Sequence, residues 1–304
     1  MTRYILTLVG KSAAILEDAA QLVAAQARTP EGREIVEPKI ALDLIYNNPA
    51  NPQALLTNIR VLLAPVAIDW AFQPASGRKK GLLLADMDST IIGQECIDEL
   101  ADYAGLKRQI AEITERAMRG ELDFEAALTE RVRMLEGLPV SKLEACFTER
   151  VTLNPGAKIL TATMRAAGAH TALVSGGFTF FTSRVADAAG FDENRANRLI
   201  DDGSRLTGDV ARPILGRQAK RDALAEIAAR LNIPESASIV MGDGANDLDM
   251  VRAAGLGVAY KAKPALAAAA NARIAVGDLT SALYFQGYRK NEFAAVCRRS
   301  FRSI

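Results

Sequence analysis

A short apolar run that ends in two carboxylates constrains this chain most. In GLLLADMDSTIIGQE, residues 81–95, the apolar residues 82–85 have the composition of a buried strand. Asp86 and Asp88 follow at once, and Glu95 lies within ten residues of them. Like charges repel more strongly near low-dielectric protein than in water, so acids in this position need a partner. Taken alone, the DxDxT pattern fits a solvated turn with a helix cap as well as it fits chemistry.

Strand and helix patterns alternate along most of the chain, and repeated βα units predict a mostly parallel, doubly wound sheet. We predict this α/β core at 81–290, with amphipathic helices at about 94–150 inserted as a cap. Residues 1–74 predict a smaller α/β domain. The stretch ASGRKK, residues 75–80, predicts a linker between separable units. Residues 291–304 are expected to form a C-terminal tail.

Composition excludes several classes of function. The net charge of +1 provides no overall field for nucleic acid, and no stretch approaches the ~18 apolar residues of a membrane helix. The three cysteines are far apart and form no CxxC pair, so we expect reduced thiols in a cytoplasmic protein. His170 is the only histidine, so acid–base chemistry must come from carboxylates, lysines or tyrosines.

Three polar loops follow predicted strands: DMDST at 86–90, SGG at 175–177 and GDGANDLD at 242–249. In open parallel sheets, ligands bind beyond the carboxyl ends of the strands, so these loops should converge on one place. Each loop alone is a weak signal, and Lys220 alone would be an ordinary lysine on a helix surface. The combination in this order predicts one site.

The chemistry of that site follows from its residue types. Asp86, Asp88 and Asp243 can hold a hard cation, and magnesium suits a few carboxylates plus a phosphate oxygen. The cation would offset the repulsion, so that Asp86 could attack phosphorus and form an aspartyl phosphate. Asp88 could protonate the leaving oxygen and later deprotonate the attacking water. Charge on the equatorial oxygens could be stabilised by Ser175, Lys220 and the backbone N–H groups near Gly176.

Residues 81–290 resemble the haloacid-dehalogenase superfamily and, more narrowly, its bacterial and archaeal phosphoserine phosphatases. The matching stretches are DMDSTIIGQECIDELA, FEAALTERV, VSGGF, ANRL, LTGDV, AKRDAL and GDGANDLDM. The resemblance implies that Asp86 is the nucleophile and Asp88 the acid/base. It implies magnesium on the Asp86 side chain, the Asp88 backbone carbonyl and Asp243. The residues implied to hold phosphate or to support the last loop are Ser175, Gly176, Lys220, Asn246 and Asp247.

The resemblance also implies a substrate, O-phospho-L-serine, hydrolysed to serine and phosphate in the last step of serine biosynthesis. The implied contacts to its amino-acid part are Glu95, Met118, Phe124 and Arg131. Arg131 can bind a carboxylate bidentately, Glu95 can neutralise an ammonium, and the two apolar side chains can exclude water. Without the resemblance, Arg131 would be interpreted as part of a cationic helix face, and Met118 and Phe124 as helix core.

Two alternatives stay open at this point. The first is transfer of the phosphoryl group to another small alcohol such as homoserine, since only the acceptor differs. The second is a non-catalytic amino-acid sensor, which a missing catalytic aspartate would favour. Residues 1–74 resemble the ACT-like extension of some bacterial phosphoserine phosphatases. Such modules bind amino acids or make dimer contacts, so a homodimer is compatible with the sequence, although no residue specifies a ligand.

Overall fold

The computed structural model describes residues 2–119 and 121–296, except for the side chain of Met118. Gly120, which was expected to break a helix, lies outside the described residues. So does the predicted tail from residue 297 onward, including Cys297. Within the described ranges, no helix combines the length and apolarity needed to cross a bilayer.

Most of the described strands join one sheet. In chain order, the strands are β1 (Arg3–Val9), β2 (Gly32–Glu37), β3 (Ala41–Asn47), β4 (Asp69–Pro74), β5 (Leu82–Ala85), β6 (His170–Phe178), β7 (Glu193–Asn197), β8 (Leu199–Asp201), β9 (Leu206–Val210), β10 (Ser238–Gly242), β11 (Leu256–Tyr260) and β12 (Ala272–Ile274). The ten-stranded sheet has the order β2-β3-β1-β4-β12-β11-β10-β5-β6-β7, while β8 and β9 form the hairpin expected around residues 202–203.

Helices connect these strands. In chain order, they are α1 (Ala13–Gln26), α2 (Pro52–Leu63), α3 (Cys96–Asp102), α4 (Lys107–Met118), α5 (Phe124–Arg133), α6 (Ser141–Arg150), α7 (Ala157–Ala166), α8 (Thr179–Ala189), α9 (Arg217–Arg230), α10 (Leu248–Ala253), α11 (Pro264–Ala267) and α12 (Ser281–Phe285). The block predicted as a cap at about 94–150 is helical, since α3 to α6 occupy it.

The half of the sheet from β12 to β7 is parallel throughout, which confirms the predicted α/β core. Strand β5 lies inside it and is buried on both faces. Leu82 and Leu84 pack against the layer that contains α9 and α10, while Leu83 and Ala85 pack against the layer that contains α7 and α8. Burial on both faces explains why β5 is an uninterrupted apolar run.

The N-terminal unit has the order β1-α1-β2-β3-α2-β4, with antiparallel pairing of its strands. Asn51 caps α2 as predicted: its side chain accepts a hydrogen bond from the Ala54 N–H at 2.9 Å, and Pro52 is the first helical residue. Strand β2 was not predicted, because it is an edge strand in which Val36 is the one buried residue. The likeness to ACT modules stays a prediction.

The N-terminal unit continues into the core through the sheet itself. Strand β4 pairs antiparallel with β12, with Ala71 opposite Ala272. Arg78, in the predicted linker, donates to Asp43 at 2.6 Å and to the Phe285 carbonyl at 2.8 Å. Residues 75–80 do connect the two units, but they are an anchored segment rather than a flexible spacer. The domain division at this point stays a prediction.

Candidate active site

The three polar loops predicted from the sequence do meet. They follow β10, β5 and β6, which are neighbours in the sheet, so the parallel strands deliver their carboxyl ends to one edge. The cap helices lie over that edge and line, together with the loops, a partly open cavity of about 70 Å³. The residues around the cavity are Asp86, Asp88, Glu95, Ile97, Thr114, Ala117, Phe124, Leu128, Arg131, Ser175, Gly176, Gly177, Phe178, Asp243 and Asn246.

Asp86 is held from several directions at the end of β5. Its Oδ1 accepts a hydrogen bond from the Met87 N–H at 2.7 Å, and its Oδ2 lies 2.7 Å from the Nζ of Lys220. Lys220 also pairs with Asp247 at 2.8 Å, and its side chain is 1% exposed. Burial opposes the charge on this lysine, but Asp247 and Asp86 together raise the pKa of Lys220. The lysine is therefore a fixed buried cation beside the proposed nucleophile.

The buried aspartates around Lys220 outnumber this one cation. Asp86, Asp243 and Asp247 each present an oxygen, and these oxygens lie within 4.8 Å of one another. Burial, followed by the charges of Asp247 and Asp86, raises the pKa of Asp243 to about 8. Burial and the charge of Asp86 likewise raise the pKa of Asp247 to about 6. A buried all-oxygen donor set with this excess of negative charge fits a hard divalent cation such as magnesium.

Asp88 faces the cavity from the same loop as Asp86. Its Oδ1 accepts a hydrogen bond from the Cys96 N–H at 2.9 Å, and its Oδ2 lies 3.4 Å from the hydroxyl of Ser175. Burial, followed by the charge of Asp86, raises the pKa of Asp88 to about 6. A raised pKa suits a carboxyl that gives and takes a proton near neutral pH.

Two glycines allow close approach around the cavity. A Cβ on Gly176 would lie 2.7 Å from the ring of Phe124, so the cap phenylalanine closes directly onto the SGG loop. A Cβ on Gly242 would lie 2.2 Å from an Asp247 oxygen, which accepts hydrogen bonds from the N–H groups that follow. Any side chain at either position would displace a group of the site.

The cap supplies a carboxylate and a cation to the cavity. Glu95 accepts a hydrogen bond from the Ser89 hydroxyl at 2.5 Å, and burial together with the charge of Asp88 raises the pKa of Glu95 well above its ordinary value. Arg131 is 5% exposed, and its Nε donates to the Ala127 carbonyl at 3.0 Å. Burial lowers the pKa of Arg131, while the nearby acids oppose this effect. Neither charge has an oppositely charged partner within 4.0 Å among the described residues.

A family model for haloacid dehalogenase-like hydrolases matches residues 83–252. The match covers more than half of the chain and includes every loop of the site. The chain belongs to this family. Its curated relatives include the phosphoserine phosphatase of Idiomarina loihiensis, 47% identical over 204 residues that cover 67% of this chain and 92% of that protein. The phosphoserine phosphatase of Albidiferax ferrireducens is 45% identical over 71% of this chain and 94% of that protein.

Solved structures of haloacid dehalogenase-like hydrolases extend the comparison. A substrate-bound phosphoserine phosphatase covers 68% of this chain, with a TM-score of 0.65 and 39% identity, and this chain covers 98% of it. A hydrolase of the same family from Salmonella enterica serovar Typhi covers 93% of this chain, with a TM-score of 0.82 and 31% identity, and this chain covers 98% of it. The fold, including most of the N-terminal third, therefore recurs in this hydrolase family.

The site of this hydrolase contains nearly all of the residues predicted for it. Lys220 and Asp247 do not border the cavity but lie directly behind Asp86. The side chain of Met118 lies outside the described residues, so its predicted contact stays a prediction. Asn246 borders the cavity, with its Nδ2 3.4 Å from Asp86 and its Oδ1 buried without a partner among the residues described.

Sequence reasoning missed several supporting residues. Asn197, at the end of β7, donates to the carbonyls of Gly176 and Leu215 and thereby ties the SGG loop to the segment before α9. Asn154 donates to the carbonyls of Thr90 and Ile92, which follow Asp86 and Asp88. Asn197 lies in the ANRL stretch that carries the family resemblance, but no role was predicted for it, and no motif marks Asn154. Each asparagine acts on backbone groups that are distant in sequence.

Proposed function

We propose that this haloacid dehalogenase-like hydrolase is a magnesium-dependent phosphatase that converts O-phospho-L-serine to L-serine and phosphate, the last step of serine biosynthesis. One observation carries the proposal: a single small cavity is lined both by the carboxylates of Asp86 and Asp88 and by Arg131, a buried cation with no ion-pair partner within 4.0 Å among the described residues. The carboxylates suit chemistry on a phosphate ester, and the arginine suits a substrate carboxylate. The names of the curated relatives support the same substrate.

Magnesium would be held by the Asp86 side chain, the Asp88 backbone carbonyl and Asp243. Bound there, it would supply the positive charge that lets an anionic carboxylate approach a phosphate. The crowding of carboxylates with raised pKa values, described above, supports this assignment. Asp247 is a further acid of the group, although its ion pair with Lys220 suits a role in fixing that lysine.

The chain's own residues would carry the covalent steps. An Asp86 oxygen forms a bond to phosphorus while the bond from phosphorus to the serine oxygen breaks, and Asp88 gives that oxygen its proton. Asp88 then takes a proton from water as the water oxygen attacks phosphorus. The bond between phosphorus and the Asp86 oxygen breaks at the same time, phosphate leaves, and both aspartates return to their initial states. Lys220, Ser175 and the Gly176 N–H would stabilise negative charge on the transferred group.

Recognition of the amino acid would fall to the cap. Arg131 would bind the carboxylate of phosphoserine, which provides the counter-charge that this buried guanidinium lacks in the protein. Glu95 would bind the ammonium group, which would bring its raised pKa back down by supplying an opposite charge. Phe124, which contacts Gly176, would exclude water from the closed site, and Met118 would complete this apolar cover.

The experiment is phosphate release from O-phosphoserine, with and without magnesium, compared with p-nitrophenyl phosphate. We expect magnesium-dependent release and a preference for phosphoserine. Arg131→Ala should lower kcat/KM for phosphoserine by roughly 30-fold to several-thousandfold, the range for an unpaired charge in a comparable site. The aryl phosphate, which has no carboxylate, should lose much less. Arg133→Ala, an exposed arginine on the same helix, is the matched control.

Three outcomes would count against the proposal. Equal losses on both substrates would show that Arg131 holds the cap together instead of recognising substrate. Formation of O-phosphohomoserine in the presence of homoserine would favour the phosphotransferase, and binding of amino acids without phosphate release would favour a sensor.

We further propose a cytoplasmic location, because Cys96 and Cys146 are buried free thiols. Light scattering would test for the homodimer with which the sequence is compatible.

A further inference from the structure

One backbone carbonyl and one side-chain hydroxyl of the cap orient the guanidinium of Arg131. Nε and Nη1 of this guanidinium are engaged, by the Ala127 carbonyl at 3.0 Å and by the Thr114 hydroxyl at 2.8 Å. Nη2 donates to none of the described residues, and the side chain borders the cavity. Two fixed nitrogens therefore determine where the remaining donors point.

Thr114 joins three helices of the cap. It lies on α4 and is 4% exposed, and its Oγ donates to an Asp98 carboxylate oxygen on α3 at 2.7 Å while accepting from Arg131 on α5. The Ile110 carbonyl, at 3.0 Å, competes for the same proton. The carboxylate is closer and charged, so it holds the proton more strongly. The lone pairs of the hydroxyl are then left for the guanidinium.

We propose that Thr114 and Asp98 are positioning residues for Arg131 and thereby determine specificity for a substrate carboxylate. Thr114 acts as a spacer: it transmits the attraction of Asp98 to the guanidinium but keeps the two charges from pairing directly. A direct pair would neutralise the cation that the substrate needs. This inference rests on the proposed role of Arg131 in binding phosphoserine.

The test compares Thr114→Val with Thr114→Ser, since valine keeps the branched shape without the hydroxyl and serine keeps the hydroxyl. Thr129→Val makes the same change on α5, where the hydroxyl donates, among the described residues, only to the Glu125 carbonyl of its own helix. Steady-state kinetics on O-phosphoserine and on p-nitrophenyl phosphate would be measured for each variant.

Thr114→Val should lower kcat/KM for phosphoserine by about 10- to 100-fold, mainly through a higher KM, as expected for a lost hydrogen bond to a charged group. The loss on the aryl phosphate should be several-fold smaller. Thr114→Ser should recover most of the wild-type KM, and Thr129→Val should retain it. Asp98→Asn, which removes the charge but keeps an acceptor, should raise the same KM by a smaller factor.

Equal losses on both substrates, or no recovery with serine, would overturn the inference, because a merely structural hydroxyl does not distinguish the substrates. If Thr114→Val does not fold, an unchanged KM for phosphoserine in Asp98→Asn would overturn it. Phosphate release by the wild-type protein distinguishes failure of this inference from failure of the proposed function. A wild-type protein that does not hydrolyse phosphoserine refutes the proposed function. If the wild type is active but the variants keep its ratio of kcat/KM on phosphoserine to kcat/KM on p-nitrophenyl phosphate, only the role of Thr114 and Asp98 is refuted.

Discussion

Replacing Lys220 by methionine tests the electrostatics of the site independently of substrate. The lysine forms two buried ion pairs, with Asp86 at 2.7 Å and with Asp247 at 2.8 Å. Methionine has a similar length and no charge, so Lys220→Met leaves both carboxylates without their cation. Breaking a buried ion pair by removing one partner costs about 3–5 kcal/mol.

Protonation of a carboxylate limits this loss of stability, because a neutral carboxyl no longer needs the cation. The folded variant can bind a proton on Asp247, whose ordinary aspartate pKa is 3.8. At pH 7, protonation of one such group costs about 4.4 kcal/mol, at 1.36 kcal/mol for each pH unit. At pH 5.5 the same step costs only about 2.3 kcal/mol. The destabilisation should therefore be about 3–4 kcal/mol at pH 7 and about 2 kcal/mol at pH 5.5.

Urea unfolding in EDTA, followed by circular dichroism, would measure this difference. We expect the midpoint of Lys220→Met to lie about 1–2 M below that of the wild type at pH 7, with a smaller gap at pH 5.5. Lys11→Met, at an exposed lysine, is the matched control. Equal midpoints for Lys220→Met and the wild type at pH 7 would refute the reasoning, because the acids would then not be ionised in the metal-free fold.

Three further predictions concern the nucleophile, the metal and the N-terminal unit. Asp86→Asn should lower phosphate release by several orders of magnitude with the fold intact; near-normal turnover in a folded variant would exclude the mechanism. Burial raises the pKa of Asp243 to about 8, so its ionisation is penalised in the fold, and the metal-free protein should lose stability as pH rises from about 4 towards 8. Magnesium should then raise the melting temperature more at pH 8 than at pH 5, and an equal effect at both would contradict this. A protein that begins at Gly77 keeps all the proposed catalytic groups and should retain magnesium-dependent hydrolysis while it is folded. It should melt at a lower temperature, because β12 loses its pairing with β4. A folded but inactive protein would contradict the division, and an unchanged melting temperature would contradict the stabilisation by this pairing.

Strand prediction succeeded where apolar residues are continuous and failed at the sheet edges. Strand β5 is buried on both faces, so its sequence is apolar throughout. Strands β2 and β7 are the two edges of the sheet, and each buries a single residue, Val36 and Asn197 respectively. Their sequences therefore lack both an apolar run and a clear alternation, and backbone pairing with a neighbouring strand defines them instead.

The sequence by itself determined the convergence of the three loops. Once repeated βα units imply parallel strands, the residues that follow each strand must lie at one edge, so Asp86, Ser175 and Asp243 could be brought together without coordinates. Only the tertiary structure decided which groups contact one another there. The pairing of Lys220 with Asp86, and the contact of Arg131 with Thr114, depend on the rotation of helices against the sheet and against one another. Helical periodicity shows which face of a helix is apolar, but it does not show which distant residue that face meets. A buried polar contact therefore appears only when the packing is known.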